Sequence, residues 1–156
     1  MTIHIKPGEF YLGPYVDEEI VTVLGSCISV VMWHTEKEHC AMSHFVILNT
    51  INEADKAIGR YGQRILPHFV RYFDRLKCPH EEINVSVFGG AVSFQASNLN
   101  TTFQMGRKNS EYALNFLDQE GFAIESIDVG GTRGRKLIYT PMMAQCDLQL
   151  LPSLTD

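Results

Sequence analysis

The chain has 156 residues, 45% hydrophobic and 20% charged, which fits one domain (1–156) with its own core and without the metal or disulfide staples of smaller folds. A formal net charge of −5, from 13 Lys+Arg against 18 Asp+Glu, gives no overall positive field to hold a phosphate backbone, so nucleic acid is a poor partner. The N-terminus, MTIHIKPGEFYLGP, has no basic segment leading into an apolar core, and no apolar run is long enough to span a bilayer, which predicts a cytoplasmic protein without membrane insertion.

In chain order, Ile20 to Leu24 (IVTVL) is β-prone, Gly25-Ser26 interrupts it, and Ile28 to Trp33 resumes with β-branched residues: strand, tight turn, strand. Thr35 to Glu38 is a charged turn and Cys40 to Leu48 a further apolar run, so residues 28–48 read as a β-hairpin. Asn49 to Arg60 is polar and reads as a loop. From Tyr61 to Leu76 the apolar residues Tyr61, Ile65, Phe69, Val70, Phe73 and Leu76 lie on one helix face, with Pro67 expected to kink the helix or delay its start. Ile83, Val85 and Val87 alternate as in a half-buried strand that ends at Gly89-Gly90. A second helix is predicted from about Asn109 to Glu120, with Ala113, Phe116 and Leu117 as its stripe and Gly121 as its cap. Ile124 to Val129 reads as a strand, Gly130 to Arg135 as a turn and Lys136 to Leu150 as a closing hairpin. Strands outnumber helices about two to one without strict alternation, which predicts an α+β layered domain.

The chemistry converges on Cys27 and His44, because a thiol is a weak nucleophile at neutral pH until an imidazole helps form its thiolate. With the hairpin turn centred near Glu36 and Lys37, Ser29 stands opposite His44, and Cys27 projects from the same face as a diagonal neighbour, roughly 7–8 Å away at the backbone. A shift of one residue would send the two side chains to opposite faces. The plain alternative is that Cys27 packs as a small hydrophobe at the start of a buried strand. Gly25 and Ser26 favour the chemical reading: a glycine lets the backbone turn sharply beside a nucleophile, and free N–H groups in such a turn stabilise an oxyanion.

A metal site would draw on His34, His39, Cys40 and His44, but parity separates His39 from Cys40 and His44, and no C-x-x-C or H-E-x-x-H accompanies them. The glycine-rich turns at Gly89 and Gly130 lack P-loop and dinucleotide spacing. Arg133 and Arg135 read as solvated or as contacts for an acidic partner. The spacings of Cys27, Cys40, Cys78 and Cys146 are long and irregular, which predicts reduced thiols.

Six segments together, LGSCISVVMW (24–33), AMSHFVIL (41–48), GRY (59–61), FGGAVSF (88–94), MGRKN (105–109) and DVGGTRGRK (128–136), resemble the CheD family, the chemoreceptor glutamine deamidases of bacterial chemotaxis. The resemblance implies a three-layer α/β/β sandwich of mostly antiparallel strands with two main helices. It places the family's nucleophile on Cys27 and its catalytic histidine on His44. The family's upstream threonine falls on Val21 in an ungapped match, with Thr22 adjacent; Thr22 is taken as the third member, although the register is expected to turn its side chain away from His44.

The implied activity is that of a protein-glutamine glutaminase, a cysteine-dependent amidohydrolase that forms a thioester and needs neither cofactor nor metal; some relatives also hydrolyse receptor glutamyl methyl esters. The implied partners are the cytoplasmic helices of chemoreceptors and, in some species, a CheC-type phosphatase. Arg60, Arg107, Arg133 and Arg135 are candidates for rim charges facing Glu-rich helices. Two other readings stand beside it: a non-catalytic binding module that regulates such a phosphatase or a receptor, and a cysteine hydrolase of the same fold acting on an unrelated protein.

Overall fold

A computed structural model of the chain describes residues 1–50, 52–92 and 99–153. Their strands are β1 (Thr2–His4), β2 (Phe10–Pro14), β3 (Glu19–Leu24), β4 (Ile28–His34), β5 (His39–Ser43), β6 (Asn84–Gly89), β7 (Ile124–Val129), β8 (Arg133–Thr140) and β9 (Gln145–Ser153). The α-helices are α1 (Gly62–Arg75) and α2 (Leu99–Gln119). One sheet has the order β1-β3-β8-β9 and the other β2-β5-β4-β6-β7. Only β1–β3 and β6–β7 pair in parallel; the remaining pairs are antiparallel. The helices cover one face of the five-stranded sheet and the four-stranded sheet covers the other, which is the expected α/β/β sandwich.

Two cores follow from this stacking. Ile28, Val30 and Met32 of β4 pack toward Ile65, Phe69 and Phe73 of α1 and Ala113 and Leu117 of α2. Val31 and Trp33, one residue out of phase, pack with Ile20, Leu24, Leu137 and Tyr139 of the other sheet. Every residue of β4 is buried, because a central strand with a layer on each side has no solvent face. The same holds for Val85 to Gly89 of β6, expected to be half-buried: Ser86 and Phe88 are as enclosed as Val85 and Val87.

One helix keeps close to its expected span and the other starts well before it. Helix α1 runs continuously through Pro67, whose missing N–H costs one intrahelical bond while Ile65, Leu66, Phe69, Val70 and Phe73 anchor the inward face. Helix α2 begins ten residues before Asn109, because the inward positions of its middle are Gly106, Asn109 and Ser110, which give no apolar stripe to read. The turn read at Gly130 to Arg135 closes early, with β8 beginning at Arg133, and the closing hairpin is β8–β9. The end of the FGGAVSF segment, Ser93 and Phe94, lies outside the described residues. Among the described residues no helix is long and apolar enough to cross a membrane.

Candidate active site

Strand β3 belongs to one sheet and β4 to the other, so Gly25, Ser26 and Cys27 carry the chain between layers. Their carbonyls are all held: Gly25 O accepts from Ala91 N–H at 2.9 Å and Cys27 O from Gly90 N–H at 2.9 Å. Ser26 O accepts from Asn109 Nδ2 at 3.3 Å. The N–H groups of Ser26 and Cys27 have no acceptor among the described residues, which leaves two donors at the thiol.

The glycine this geometry requires is Gly89. It lies at φ +118, where a Cβ would come within 2.1 Å of Cys27 O. Gly25, expected to supply the sharp turn, has no positive φ, and a Cβ there would meet nothing within 4 Å.

The hairpin register runs without a slip from His34↔His39 to Val31↔Met42 and reappears at Ile28↔Phe45. Ile28 and Phe45 exchange both backbone hydrogen bonds, at 3.1 and 3.0 Å. Ser29 therefore stands opposite His44, with the turn centred at Glu36 and Lys37 as expected, and Cys27, Ser29 and His44 share the face that looks onto the other sheet. Gly8 N–H fixes the His44 carbonyl at 2.8 Å.

Thr22 reaches that face from the opposite side. On β3, Ile20, Thr22 and Leu24 all point inward, so Thr22 faces His44 across the layer between the sheets, contrary to the expected orientation away from it; the sequence register concerns strands within one sheet, and Thr22 and His44 meet between two. Thr22 Oγ1 lies 2.6 Å from His44 Nδ1. The same hydroxyl donates its proton to Ile5 O at 2.6 Å, so toward the ring it can only accept. His44 Nδ1 therefore carries the hydrogen, and in the neutral ring Nε2 carries a lone pair. That Nε2 is buried with no partner among the described residues.

Burial lowers the His44 pKa to about 4 and so keeps the ring neutral. Burial also pushes the Cys27 thiol up, while the Arg60 guanidinium pulls it back down. The resting site holds a neutral thiol and a neutral imidazole on one face, not hydrogen-bonded to each other. Cys40 and Cys146 are pushed up to about 12 by burial, with no nearby cation drawing them down, and all four cysteines are free thiols.

The residues weighed as metal ligands are dispersed. His34 and His39 are cross-strand partners, but His34 contacts Glu82 and His39 contacts Tyr72, on the helix side of the sheet, whereas Cys40 and His44 face the other layer. Among the described residues no group of three or more His, Cys, Asp or Glu is placed to hold a metal ion.

The rim arginines also separate. Arg135 is buried, pairs with Asp128 at 2.9 Å and donates to Gly89 O at 3.1 Å and Gly130 O at 2.9 Å, so it rivets the glycine turns together instead of meeting a partner. Arg107 is exposed and pairs with Glu111 at 2.8 Å. Arg133 donates to Leu151 O at 2.6 Å. Arg60 is the one whose charge is felt at Cys27.

Sequence reasoning missed Asn109. It is buried in α2, and its Nδ2 donates to Ser26 O and, at 2.8 Å, to Val46 O, the two chain segments that flank the thiol. Its signal was positional: the stripe through Ala113 and Leu117, continued back one turn, lands on a polar residue.

By its fold and this geometry the molecule is a three-layer α+β protein with a thiol–imidazole pair whose ring is oriented by a hydroxyl from the facing sheet. The model of the family described as CheD chemotactic sensory transduction matches residues 48–149. A protein of Hahella chejuensis named probable chemoreceptor glutamine deamidase CheD is 32% identical over 154 residues, covering 96% of this chain and 70% of that one. One of Maridesulfovibrio salexigens with the same name is 32% identical over 145 residues, covering 88% and 84%. One of Methanococcus maripaludis, also so named, is 26% identical over 137 residues, covering 88% and 87%. The chain belongs to the CheD family. The family match begins at Leu48, beyond Cys27 and His44, while these alignments span most of the chain.

Proposed function

We propose that this protein is a cytoplasmic protein-glutamine glutaminase that converts glutamine side chains of bacterial chemoreceptors to glutamate in chemotaxis adaptation, with Cys27 as nucleophile, His44 as general base and acid, and Thr22 holding the ring. The observation that carries the reading is the hydrogen-bond order Nδ1–H to Thr22 Oγ1 to Ile5 O, which leaves an unprotonated, unpartnered lone pair on the face that holds the thiol. Family membership supports the substrate class.

The chemistry proceeds in two halves. His44 Nε2 takes the Cys27 proton as Sγ attacks the carboxamide carbon, and the tetrahedral oxyanion is stabilised by the unengaged N–H groups of Ser26 and Cys27. Nε2 then gives its proton to the departing nitrogen, the C–N bond breaks, ammonia leaves and a thioester remains. Solvent water, deprotonated by Nε2, attacks the thioester, and the proton returns to Sγ as glutamate is released. A glutamyl methyl ester enters the same cycle with methanol as the leaving group. Arg60 is the rim cation for an acidic receptor helix. A CheC-type phosphatase as second partner rests on the family resemblance alone.

The test is peptide mass analysis with ammonia release on a receptor cytoplasmic fragment carrying glutamines. Conversion of defined glutamines to glutamate by the wild type, lost in folded Cys27→Ala and His44→Ala, is the expected result. Binding of the fragment without conversion would replace the enzyme by a binding module.

A further inference from the structure

Four buried side-chain polar atoms among the described residues have no hydrogen-bond partner: Tyr15 OH, Tyr139 OH, Ser29 Oγ and His44 Nε2. Ser29 and His44 stand opposite each other in the hairpin and share the face that holds Cys27. Their register position, next to the hydrogen-bonded pair Ile28↔Phe45, is the kind at which facing side chains approach most closely. A fully buried hydroxyl without a partner is a cost to the fold, and an alanine would remove that cost. A serine as the second residue of a strand otherwise built of Ile, Val, Met, Trp and a terminal His has no packing reason to be there.

The geometry points to Ser29 as a positioning residue for the proposed deamidation, its hydroxyl turning to bridge His44 Nε2–H and the Cys27 thiolate once the proton has moved. A hydroxyl both donates and accepts. In the resting site neither Ser29 Oγ nor His44 Nε2 has a partner, so the Nε2 lone pair that Thr22 leaves open is free to take the thiol proton. Once the thiol proton has moved to Nε2, the Ser29 oxygen accepts from Nε2–H and turns its own hydrogen toward the thiolate, so that it holds both charges without exchanging a proton with either. Other titratable groups of this layer, Cys40, Tyr139 and Cys146, are distributed farther along the sheets and belong to the apolar cluster. Ser29 is thus the hydroxyl on the reacting face of β4, as Thr22 is on β3.

The inference rests on the proposed function for its catalytic meaning, and the experiment separates the two. Ser29→Ala, Ser29→Thr and the hydroxyl-free isostere of the latter, Ser29→Val, are compared with wild type. The readouts are kcat and KM for receptor-fragment deamidation, and the rate at which iodoacetamide alkylates Cys27, located by peptide mass at one fixed pH. The expected results are a fall in kcat of about ten- to hundredfold in Ser29→Ala with KM within about twofold, and slower Cys27 alkylation. Ser29→Thr restores both relative to Ser29→Val, a comparison that holds shape constant and serves if the alanine variant does not fold. Thermal stability of Ser29→Ala equal to or above wild type accompanies these losses. Equal alkylation rates and equal kcat in the Thr and Val variants would overturn the inference. If wild type deamidates no receptor fragment, the proposed function fails, and the alkylation rates alone decide whether Ser29 acts on the thiol.

Discussion

The two ends of the β4–β5 hairpin each carry a buried histidine. At the turn end, His34 accepts from Lys37 N–H through Nδ1 at 3.1 Å and meets Glu82 through Nε2 at 3.0 Å, so both ring nitrogens are engaged. At the open end, His44 is as deeply buried, its Nδ1 is held by Thr22, and its Nε2 has no partner among the described residues. The same contrast holds for the cysteines, Cys40 lying sealed in the layer between the sheets and Cys27 half-exposed at the crossover. Residue type therefore does not separate the two histidines; the unsatisfied Nε2 lone pair on the face of a partly exposed thiol does, and the proposed chemistry rests on it.

This comparison breaks most visibly by substitution at the two ends. His44→Gln and Cys27→Ala are expected to lower deamidation by about 10³-fold or more. His34→Gln should leave the rate within a few-fold while lowering stability by about 1–3 kcal/mol, read from urea midpoints. Comparable rate losses at the two histidines would erase the distinction.

Thr22→Val sharpens it, because the ring loses the acceptor that fixes its tautomer. A drop of about 10²-fold in kcat with little change in KM is expected from steady-state kinetics. Asn109→Leu removes the donors to Ser26 O and Val46 O and leaves two part-buried carbonyls without them; urea titration should show a loss of about 1–2 kcal/mol, with slower alkylation of Cys27.

The pH dependence of stability has a defined sign. The unfolded chain takes up the His44 proton near 6.5 and the folded chain only near 4. Stability tied to the neutral ring is complete above about pH 6.5 and is lost as the pH falls toward 4, reaching about 2 kcal/mol at pH 5. Urea midpoints at pH 7.5 and pH 5 should therefore diverge more in wild type than in His44→Gln. The smallest effect is expected at Gly25→Ala: stability within about 0.5 kcal/mol by thermal melting, since its Cβ meets open space, and a few-fold loss of deamidation as that space narrows.

Much of this was legible in the chain. Hairpin parity placed Cys27 and His44 on one face because the side-chain period of a strand is two and the turn residues fixed its centre. The Thr22 contact was not legible, since it joins two sheets and no rule of strand period relates residues across a layer. Helix α2 was shortened because Gly106, Asn109 and Ser110 turn inward to meet backbone instead of apolar side chains. Arg135 read as a surface charge, and only the fold shows it turned in to hold Gly89 and Gly130.

The most direct test of the account is to acid-quench the reaction of the protein with a receptor cytoplasmic fragment and look by mass spectrometry for the covalent intermediate. A hydroxylamine-sensitive thioester joining a receptor glutamine position to Cys27, absent in folded Cys27→Ala, is the predicted result. Deamidation at the wild-type rate by folded Cys27→Ala, or an adduct on Cys40, Cys78 or Cys146 instead, would contradict it.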